Sequence, residues 1–234
     1  MVQGIGEGKL RKLIQSIIRR IPSSLFFRAS IHSTFYEDFV RCLSVPTLES
    51  RNDLYDYAFK NTISEESAIN FVEFGVWKGE SLRFFVNKNK NVNSRLIGLD
   101  TFEGIPEKWG PYDEGSWSAS GEIPDVSDER VHFVKGLFQV SWEEAQSLIS
   151  KNMKNEIFAN YDADIYSATL FALTKMDIFK KSYYAIFDEF FGHESKALYD
   201  YLTSYLAEVE FIAKTDDPMG KPFQVLCRIT PKAS

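Results

Sequence analysis

From Ile69 onward the chain alternates short apolar runs with stretches of helical spacing, and this alternation constrains the fold more than any other feature of the sequence. Such a pattern is typical of βαβ units, in which crossover helices join parallel strands. The predicted strands are 69–74, 95–99, 131–134, 157–161, 183–187, 209–214 and 223–229. The predicted helices between them are 81–86, 142–150, 166–176 and 195–206.

The last two predicted strands lie too close together for a crossover helix between them. The stretch from Thr215 to Pro222 contains the turn-forming residues Asp217 and Gly220, so we expect a hairpin. The sequence therefore predicts an α/β fold with a Rossmann-like sheet of seven strands. The sheet is expected to be mostly parallel, with one antiparallel strand and with helices on both faces.

Residues 1–68 are predicted to form a helical N-terminal extension of a single domain, and the Rossmann-like core is predicted to span 69–234. Apolar side chains recur at helical spacing in 9–21, with basic residues between them, and further helices are expected at 36–43 and 53–59. Such a stripe packs on the protein's own core, packs on a second subunit, or lies on an anionic membrane. We favour packing on the core and then a homodimer, with peripheral membrane contact through 9–21 as the remaining alternative.

Charge and composition limit the expected partners. A net charge of -6 disfavours nucleic acid, because phosphate binding needs clustered basic side chains. No apolar stretch reaches the ~20 residues of a transmembrane helix, and no signal peptide is evident, so we expect a cytoplasmic protein. Cys42 and Cys227 lie far apart without zinc-site spacing and are expected to be ordinary thiols.

A glycine-containing turn follows the first predicted strand, where the chain reads VEFGVWKGES. Glycines let a backbone approach a ligand closely, and a helix N-terminus offers free N–H groups to an anion. The turn is either an ordinary strand-to-helix connection or a cofactor loop, and the absence of GxGxxG disfavours a nicotinamide oxidoreductase. The expected cofactor-binding residues of this loop are Glu73, Gly75, Val76, Trp77, Gly79 and Ser81.

The next two predicted strands add further candidate contacts. Asp100 ends the second strand, where a carboxylate can accept hydrogen bonds from both ribose hydroxyls of an adenosyl group. An aspartate in this place otherwise caps a helix, but a long loop follows here. Phe138 belongs either to an adenine pocket or to the core. The expected cofactor-binding residues of these two strand ends are Asp100, Thr101, Phe102, Gly136, Phe138 and Gln139.

Two pairs of acidic residues follow the next two strands. Asp162 and Asp164 come after one strand, and Asp188 and Glu189 after the other. Parallel strands end at the same edge of a sheet, so these carboxylates are expected to converge and to repel one another unless a cation or a shared proton intervenes. Helix capping explains one member of each pair but not both. We expect Mg²⁺ or another divalent cation.

A long segment without a helix or strand pattern spans 101–128 and contains several aromatic residues, glycines and prolines. A loop of this length within a compact domain is usually functional or disordered. Its aromatic content favours a lid that contributes to substrate binding.

Four segments together resemble one known family. VEFGVWKGES, DTFEGIPEKW, YDADIYSAT and FDEFFGHESKA are similar to the macrocin O-methyltransferase (TylF-like) family of sugar O-methyltransferases. They are more distantly similar to catechol O-methyltransferase, and the resemblance covers roughly 71–201. It implies the class I methyltransferase fold and S-adenosylmethionine as cofactor.

The resemblance also implies roles for individual residues. Gly75, Trp77 and Ser81 would contact the methionyl part of the cofactor, and Asp100 its ribose. The implied metal ligands are Asp162, Asp188 and Glu189, and Asp162 is also expected to contact the cofactor. The family usually has Asp-Asp-Tyr where this chain has Asp188, Glu189 and Phe190, so the third ligand here is a longer carboxylate.

These patterns predict a divalent-metal-assisted O-methyltransferase that uses S-adenosylmethionine and acts on a hydroxyl of a sugar, glycan or other glycosylated substrate. Positioning supplies much of the rate, a metal ion would acidify the hydroxyl, and a nearby base would take its proton. The candidate bases are Asp164, Asp162 and His193. The alternatives are a catalytically degenerate cofactor-binding protein and a methyltransferase of a non-sugar hydroxylated molecule.

Overall fold

The computed structural model describes residues 7–233. It contains one sheet of eight strands in the order β1-β7-β8-β6-β5-β2-β3-β4. Only β8 runs antiparallel to its neighbours, β6 and β7, and every other strand pair is parallel. The strands are β1 (Thr47–Leu48), β2 (Ile69–Phe74), β3 (Arg95–Asp100), β4 (Val131–Lys135), β5 (Glu156–Tyr161), β6 (Tyr183–Phe187), β7 (Glu208–Asp216) and β8 (Pro222–Thr230).

Helices join most of the parallel strands, as the βαβ pattern predicts, whereas a long loop joins β3 to β4. Shorter helical turns lie at Phe35–Phe39, Val40–Ser44, Asp177–Phe179 and Phe190–Glu194. The α-helices are α1 (Glu7–Ile18), α2 (Ser23–Thr34), α3 (Arg51–Asn61), α4 (Glu80–Lys88), α5 (Phe138–Ser150), α6 (Tyr166–Met176) and α7 (Ser195–Tyr205).

The predicted class of fold is confirmed: the sheet has the Rossmann-like arrangement of class I methyltransferases, with one antiparallel strand. The predicted number of strands was wrong, because β1 adds an eighth strand that pairs in parallel with β7. A strand of two residues is too short to show an alternating pattern. The predicted hairpin is confirmed, since β7 and β8 pair in antiparallel register from Glu208↔Thr230 to Asp216↔Pro222.

The N-terminal helices differ from the prediction. A single helix was expected over 9–21, but α1 ends at Ile18 and Pro22 precedes a second helix, α2, as its N-cap residue. Packing of the α1 stripe on the core was expected, yet Ile14, Ile17 and Ile18 are each about half exposed, at 47%, 53% and 45%. Among residues 7–233, none of the helices has the length and apolarity needed to cross a lipid bilayer.

The sheet is covered on both faces, and alternation along β2 shows why. Phe71 belongs to one buried cluster, whereas Val72 and Phe74 belong to another. Successive side chains of a strand point to opposite faces, so the two clusters lie on opposite sides of the sheet. Burial on both faces explains the continuously apolar runs that made these strands recognisable.

The strand order creates a crevice at one place in the sheet. From β2 the chain proceeds through β3 and β4 on one side, and the sheet continues with β5 and β6 on the other. The crossover helices leave β2 and β5 in opposite directions at such a switch point, and ligands bind in α/β proteins at the carboxyl ends of the strands beside it.

Phe85 of α4 anchors one of the two clusters by stacking on Phe71, with ring centroids 4.0 Å apart. We expect Phe85→Ala to lower the free energy of unfolding by about 3–5 kcal/mol, because a fully buried ring is replaced by a cavity. Val92→Ala, at a side chain that is 78% exposed, is the control and should change it by less than about 0.5 kcal/mol. Urea denaturation measures both, and equal effects would contradict this packing.

Candidate functional site

Four residues line up across the carboxyl edge of the sheet. Each of them comes immediately after a strand position that is aligned with its neighbours across the sheet. They are Asp100 at β3, Gly75 at β2, Asp162 at β5 and Asp188 at β6. The ladder hydrogen bonds continue into this row, since the Asp162 N–H donates to the Phe74 carbonyl at 2.9 Å. The predicted convergence of acidic side chains therefore follows directly from strand register.

A cavity of about 580 Å³ opens above this row. Its volume lies in the range of small-molecule sites. Ten of the residues predicted for the site line it, and they are Gly75, Trp77, Asp100, Thr101, Phe138, Gln139, Asp162, Asp164, Asp188 and Glu189. Among the other predicted residues, those outside the lining are Glu73, Val76, Gly79, Ser81, Phe102, Gly136 and His193.

Gly75 is a glycine because two strand ends meet there. Its φ is +93°, which lies in the region that glycine favours, and a Cβ at this position would overlap the carbonyl oxygen of Asp162. The glycine that was predicted to admit a ligand thus also allows β2 and β5 to approach each other at the cavity floor.

Asp100 uses its carboxylate to hold the backbone of the glycine loop. The N–H groups of Val76 and Trp77 both donate to Asp100 Oδ2 at 2.7 Å, and the Phe102 N–H donates to Oδ1 at 2.7 Å. Trp77 has a positive φ of 49°, and these bonds oppose the strain of that conformation. Asp100 lines the cavity as predicted, but its first task is to fix the loop.

Glu73 and Ser81 lie beneath the cavity instead of lining it. Glu73 is fully buried, and its Oε1 accepts hydrogen bonds from Ser81 Oγ and, at 2.9 Å, from Asn160 Nδ2. Glu73 Oε2 has no hydrogen-bond partner. Burial raises the pKa of Glu73 to about 8, although the bonds from Ser81 and Asn160 act against the shift. This network joins β2, α4 and β5 under the loop.

The remaining predicted contacts that do not line the cavity shape its walls. Val76 and Phe102 are buried at 4% and 1% exposure. Gly79 and Gly136 have positive φ angles of 73° and 143° at the start of α4 and the end of β4. These residues set the path of the backbone around the cavity.

Phe138 satisfies both alternatives that the sequence left open. It is the first residue of α5, a helix that was predicted to begin only at residue 142. Its ring packs edge-on against Phe74 at 5.4 Å and also lines the cavity, next to Gln139. The side chain is therefore a core residue that presents an aromatic surface to the pocket.

The acidic side chains at the floor have strongly perturbed pKa values. Burial, reinforced by Asp188 and Asp164, raises the pKa of Asp162 well above its usual range, although 29% of its side chain is exposed toward the cavity. Burial likewise raises the pKa of Asp164 to about 6 and that of Glu189 to about 7, with neighbouring carboxylates adding to both shifts. Burial also raises the pKa of Asp188, where Arg51 opposes it.

Arg51 is one of the site residues that the sequence analysis missed. Its Nη1 lies 3.3 Å from Asp188 Oδ1 and 3.8 Å from Asp162 Oδ2, so a guanidinium stands between two of the predicted metal ligands. Within residues 7–233, no group of three or more His, Cys, Asp or Glu side chains is arranged to hold a metal ion. As arranged, these residues do not fit a divalent ion, and the metal stays a prediction.

His193, the third candidate base, lies beside the cavity. Its Nδ1 accepts a 3.4 Å hydrogen bond from the Tyr166 N–H, and its ring packs edge-on against Phe27 and Trp109 at 5.3 and 6.2 Å. Burial lowers the pKa of His193, so the neutral imidazole is favoured. These contacts are those of a wall residue.

The long loop between β3 and β4 folds over the cavity. Among the described residues of this loop, five that the sequence could not single out line the pocket: Gly104, Ile105, Pro106, Glu107 and Trp117. The loop is bonded internally, as the Ile105 N–H donates to Ser116 O at 3.0 Å, and it contacts α6 through a 3.0 Å hydrogen bond from Ser167 Oγ to Glu107 Oε1. The predicted lid therefore has an ordered path.

The raised pKa of Glu73 makes stability depend on pH. In water a glutamate has a pKa near ~4.3, so between that pH and about 8 the folded protein holds a proton that the unfolded chain releases. We expect the free energy of unfolding to fall as the pH rises through this window. Glutamine cannot ionise, so the free energy of unfolding of Glu73→Gln should rise relative to that of wild type by up to about 1.4 kcal/mol per pH unit across this window.

Urea denaturation of wild type, Glu73→Gln and an exposed control, Glu143→Gln, from pH 5 to pH 9 tests this dependence. The control should parallel wild type at every pH. If the difference in free energy of unfolding between Glu73→Gln and wild type stays constant from pH 5 to pH 9, the raised pKa of Glu73 is contradicted.

Comparisons of the sequence with protein-family models and with curated proteins gave no match. Several solved structures are similar to this chain over most of its length. An O-methyltransferase from Bacillus cereus in complex with SAH is 12% identical over 86% of this chain and 90% of its own, with a TM-score of 0.49. The O-methyltransferase TomG from Streptomyces achromogenes in complex with SAM is 11% identical over 88% and 89%, with a TM-score of 0.44. A CmcI structure with Mg-SAM is 16% identical over 77% and 72%, with a TM-score of 0.44. At these TM-scores the similarities do not establish the class of the fold, which follows from the strand order of this chain.

Proposed function

We propose that the chain is an O-methyltransferase that uses S-adenosylmethionine. The observation that carries the proposal is the row of Asp100, Gly75, Asp162 and Asp188 at the floor of a cavity beside the topological switch point. S-adenosylmethionine is a cation at its sulfonium and its ammonium, and it carries two ribose hydroxyls and an adenine ring. A cavity with many carboxylates and a few aromatic side chains suits each of these groups.

The cofactor is assigned to the part of the cavity that adjoins β2, β3 and β4. Gly75 and Trp77 would face the methionyl end. Asp100 with Thr101 would face the ribose, because Asp100 Oδ1 accepts one hydrogen bond, from the Phe102 N–H, and keeps a lone pair for a hydroxyl. Phe138 and Gln139 at the start of α5 would face the adenine. Glu73, Val76, Gly79, Ser81, Phe102 and Gly136 would hold these groups in place from behind.

The acceptor is assigned to the side of the cavity that adjoins β5 and β6. When bound, the sulfonium of the cofactor supplies the methyl group. The chain must then orient the acceptor hydroxyl and take its proton. Asp164 lines the cavity, and its pKa of about 6 leaves it mostly ionised at neutral pH while still able to accept a proton. Asp164 is therefore our first base, with Asp162 second and His193 third.

A sugar hydroxyl remains the proposed acceptor. Trp117 and Glu107 of the loop over the cavity support it, since an indole ring packs on the apolar face of a sugar and a carboxylate binds its hydroxyls. Residues 101–128 are proposed to act as the lid that selects the substrate. The single domain and the homodimer also stay predictions, whereas the predicted divalent ion, which these residues do not fit as arranged, is not part of the proposal.

Calorimetric titration with S-adenosylhomocysteine tests the cofactor assignment. Wild type is expected to bind one equivalent. Asp100→Asn is expected to bind at least about tenfold more weakly, because the single side-chain oxygen of asparagine must accept hydrogen bonds from both the backbone amides and the ribose. Asp113→Asn, at a side chain that is 85% exposed, is the matched control and should bind like wild type.

Release of S-adenosylhomocysteine from the methyl donor over a panel of glycosides then tests turnover. Turnover with a glycoside supports the full proposal. Binding without turnover over the whole panel favours the degenerate binding protein, and failure to bind the cofactor at all refutes the proposed function.

A further inference from the structure

Arg51 lies where two carboxylates of adjacent strands face each other. Besides Asp162 and Asp188, its Nη2 lies 3.8 Å from Glu80 Oε2 at the start of α4. Among the described residues that line the cavity, Arg51 is the only basic one, whereas six are acidic. The guanidinium is thus the one fixed positive charge that the structure places among these groups.

Helix α3, which packs on the sheet, positions this guanidinium. Arg51 is the first residue of α3, and Ser50 caps the helix by accepting a 3.2 Å hydrogen bond from the Asp53 N–H. On the other side of α3, Leu54 and Phe59 are buried in the cluster that covers the sheet. The segment just before the helix is held by β1, which pairs with β7. The start of α3 is therefore tied to the sheet at two places.

The guanidinium stands where a divalent cation would have to bind. Mg²⁺ prefers about six oxygen ligands at close to 2.1 Å, and two carboxylates that share an arginine cannot surround it. A second cation at the same place would also be repelled by the guanidinium, and repulsion is strong in a partly buried site. The arrangement relieves the repulsion between Asp162 and Asp188 without a metal.

We propose that Arg51 is the built-in counter-cation of Asp162 and Asp188 and that this site works without a divalent ion. The inference rests on the proposed methyl transfer, but its central test does not need turnover. Arg51 acts here as a positioning residue: its guanidinium offsets the repulsion between the two carboxylates and holds Asp188 through a 3.3 Å hydrogen bond.

Titration with Mn²⁺, followed by electron paramagnetic resonance, tests the occupancy. Chelator-treated wild type is expected to bind no Mn²⁺ at submillimolar concentration. Arg51→Gln removes the charge, leaves the carboxylates uncompensated and is expected to bind one equivalent. Arg51→Lys keeps a cation and should exclude Mn²⁺, as should Lys60→Gln, the control at an exposed basic residue of the same helix.

Two results of this titration would overturn the proposal. One is stoichiometric binding of Mn²⁺ by wild type with the affinity of Arg51→Gln. The other is the absence of binding by Arg51→Gln while circular dichroism shows it to be folded. If Arg51→Gln does not fold, Arg51→Lys together with wild type still decides the matter, because binding by either contradicts exclusion of the metal.

Turnover provides the second readout. Chelation should leave wild-type turnover unchanged, and Arg51→Gln should lower kcat about tenfold or more with a smaller change in the affinity for S-adenosylhomocysteine. Added Mg²⁺ should partly restore Arg51→Gln, and Arg51→Lys should retain more activity than Arg51→Gln. Loss of wild-type turnover on chelation with recovery in Mg²⁺ overturns the proposal and leaves the methyltransferase intact. Absence of cofactor binding refutes the proposed function and leaves the Mn²⁺ comparison standing.

Discussion

Repulsion between carboxylates at one edge of the sheet is the constraint on which the rest of the site depends. Strand register alone brings Asp162 and Asp188 side by side, and burial makes their ionised forms costly. Arg51 opposes both effects from outside the parallel strands. The segment before β2 therefore contributes to the site, although it carries no recognisable motif.

The acidic residues of this edge have different tasks because their surroundings differ. Asp100 is held by backbone amides and stabilises a loop. Glu73 accepts hydrogen bonds from two side chains but has no access to the cavity, so it links β2, α4 and β5 from a buried position. Asp164 lies at the cavity and has a pKa near 6, which suits proton transfer. Burial and hydrogen-bond partners, rather than residue type, separate these roles.

The sequence predicted the parallel strands well because each is a buried apolar run, and β6 has the predicted bounds, Tyr183–Phe187. It could not predict β1, which is too short, or α2, whose mixed sequence SSLFFRASIHST has no clear apolar stripe. Carboxylates that end adjacent strands were predictable from topology. Arg51 was not, since one charged residue in a polar stretch has no period or spacing that would reveal its distant partners.

The N–H groups of Val76 and Trp77, which both donate to Asp100, leave the loop after β2 little freedom to rearrange. The loop is therefore pre-organised, and a ligand that enters the cavity meets a backbone whose conformational entropy was already lost when the chain folded. Part of the affinity for any ligand at this loop is consequently supplied by the folding of β3. Loosening the core beneath that strand would weaken binding without altering a single contact to the ligand.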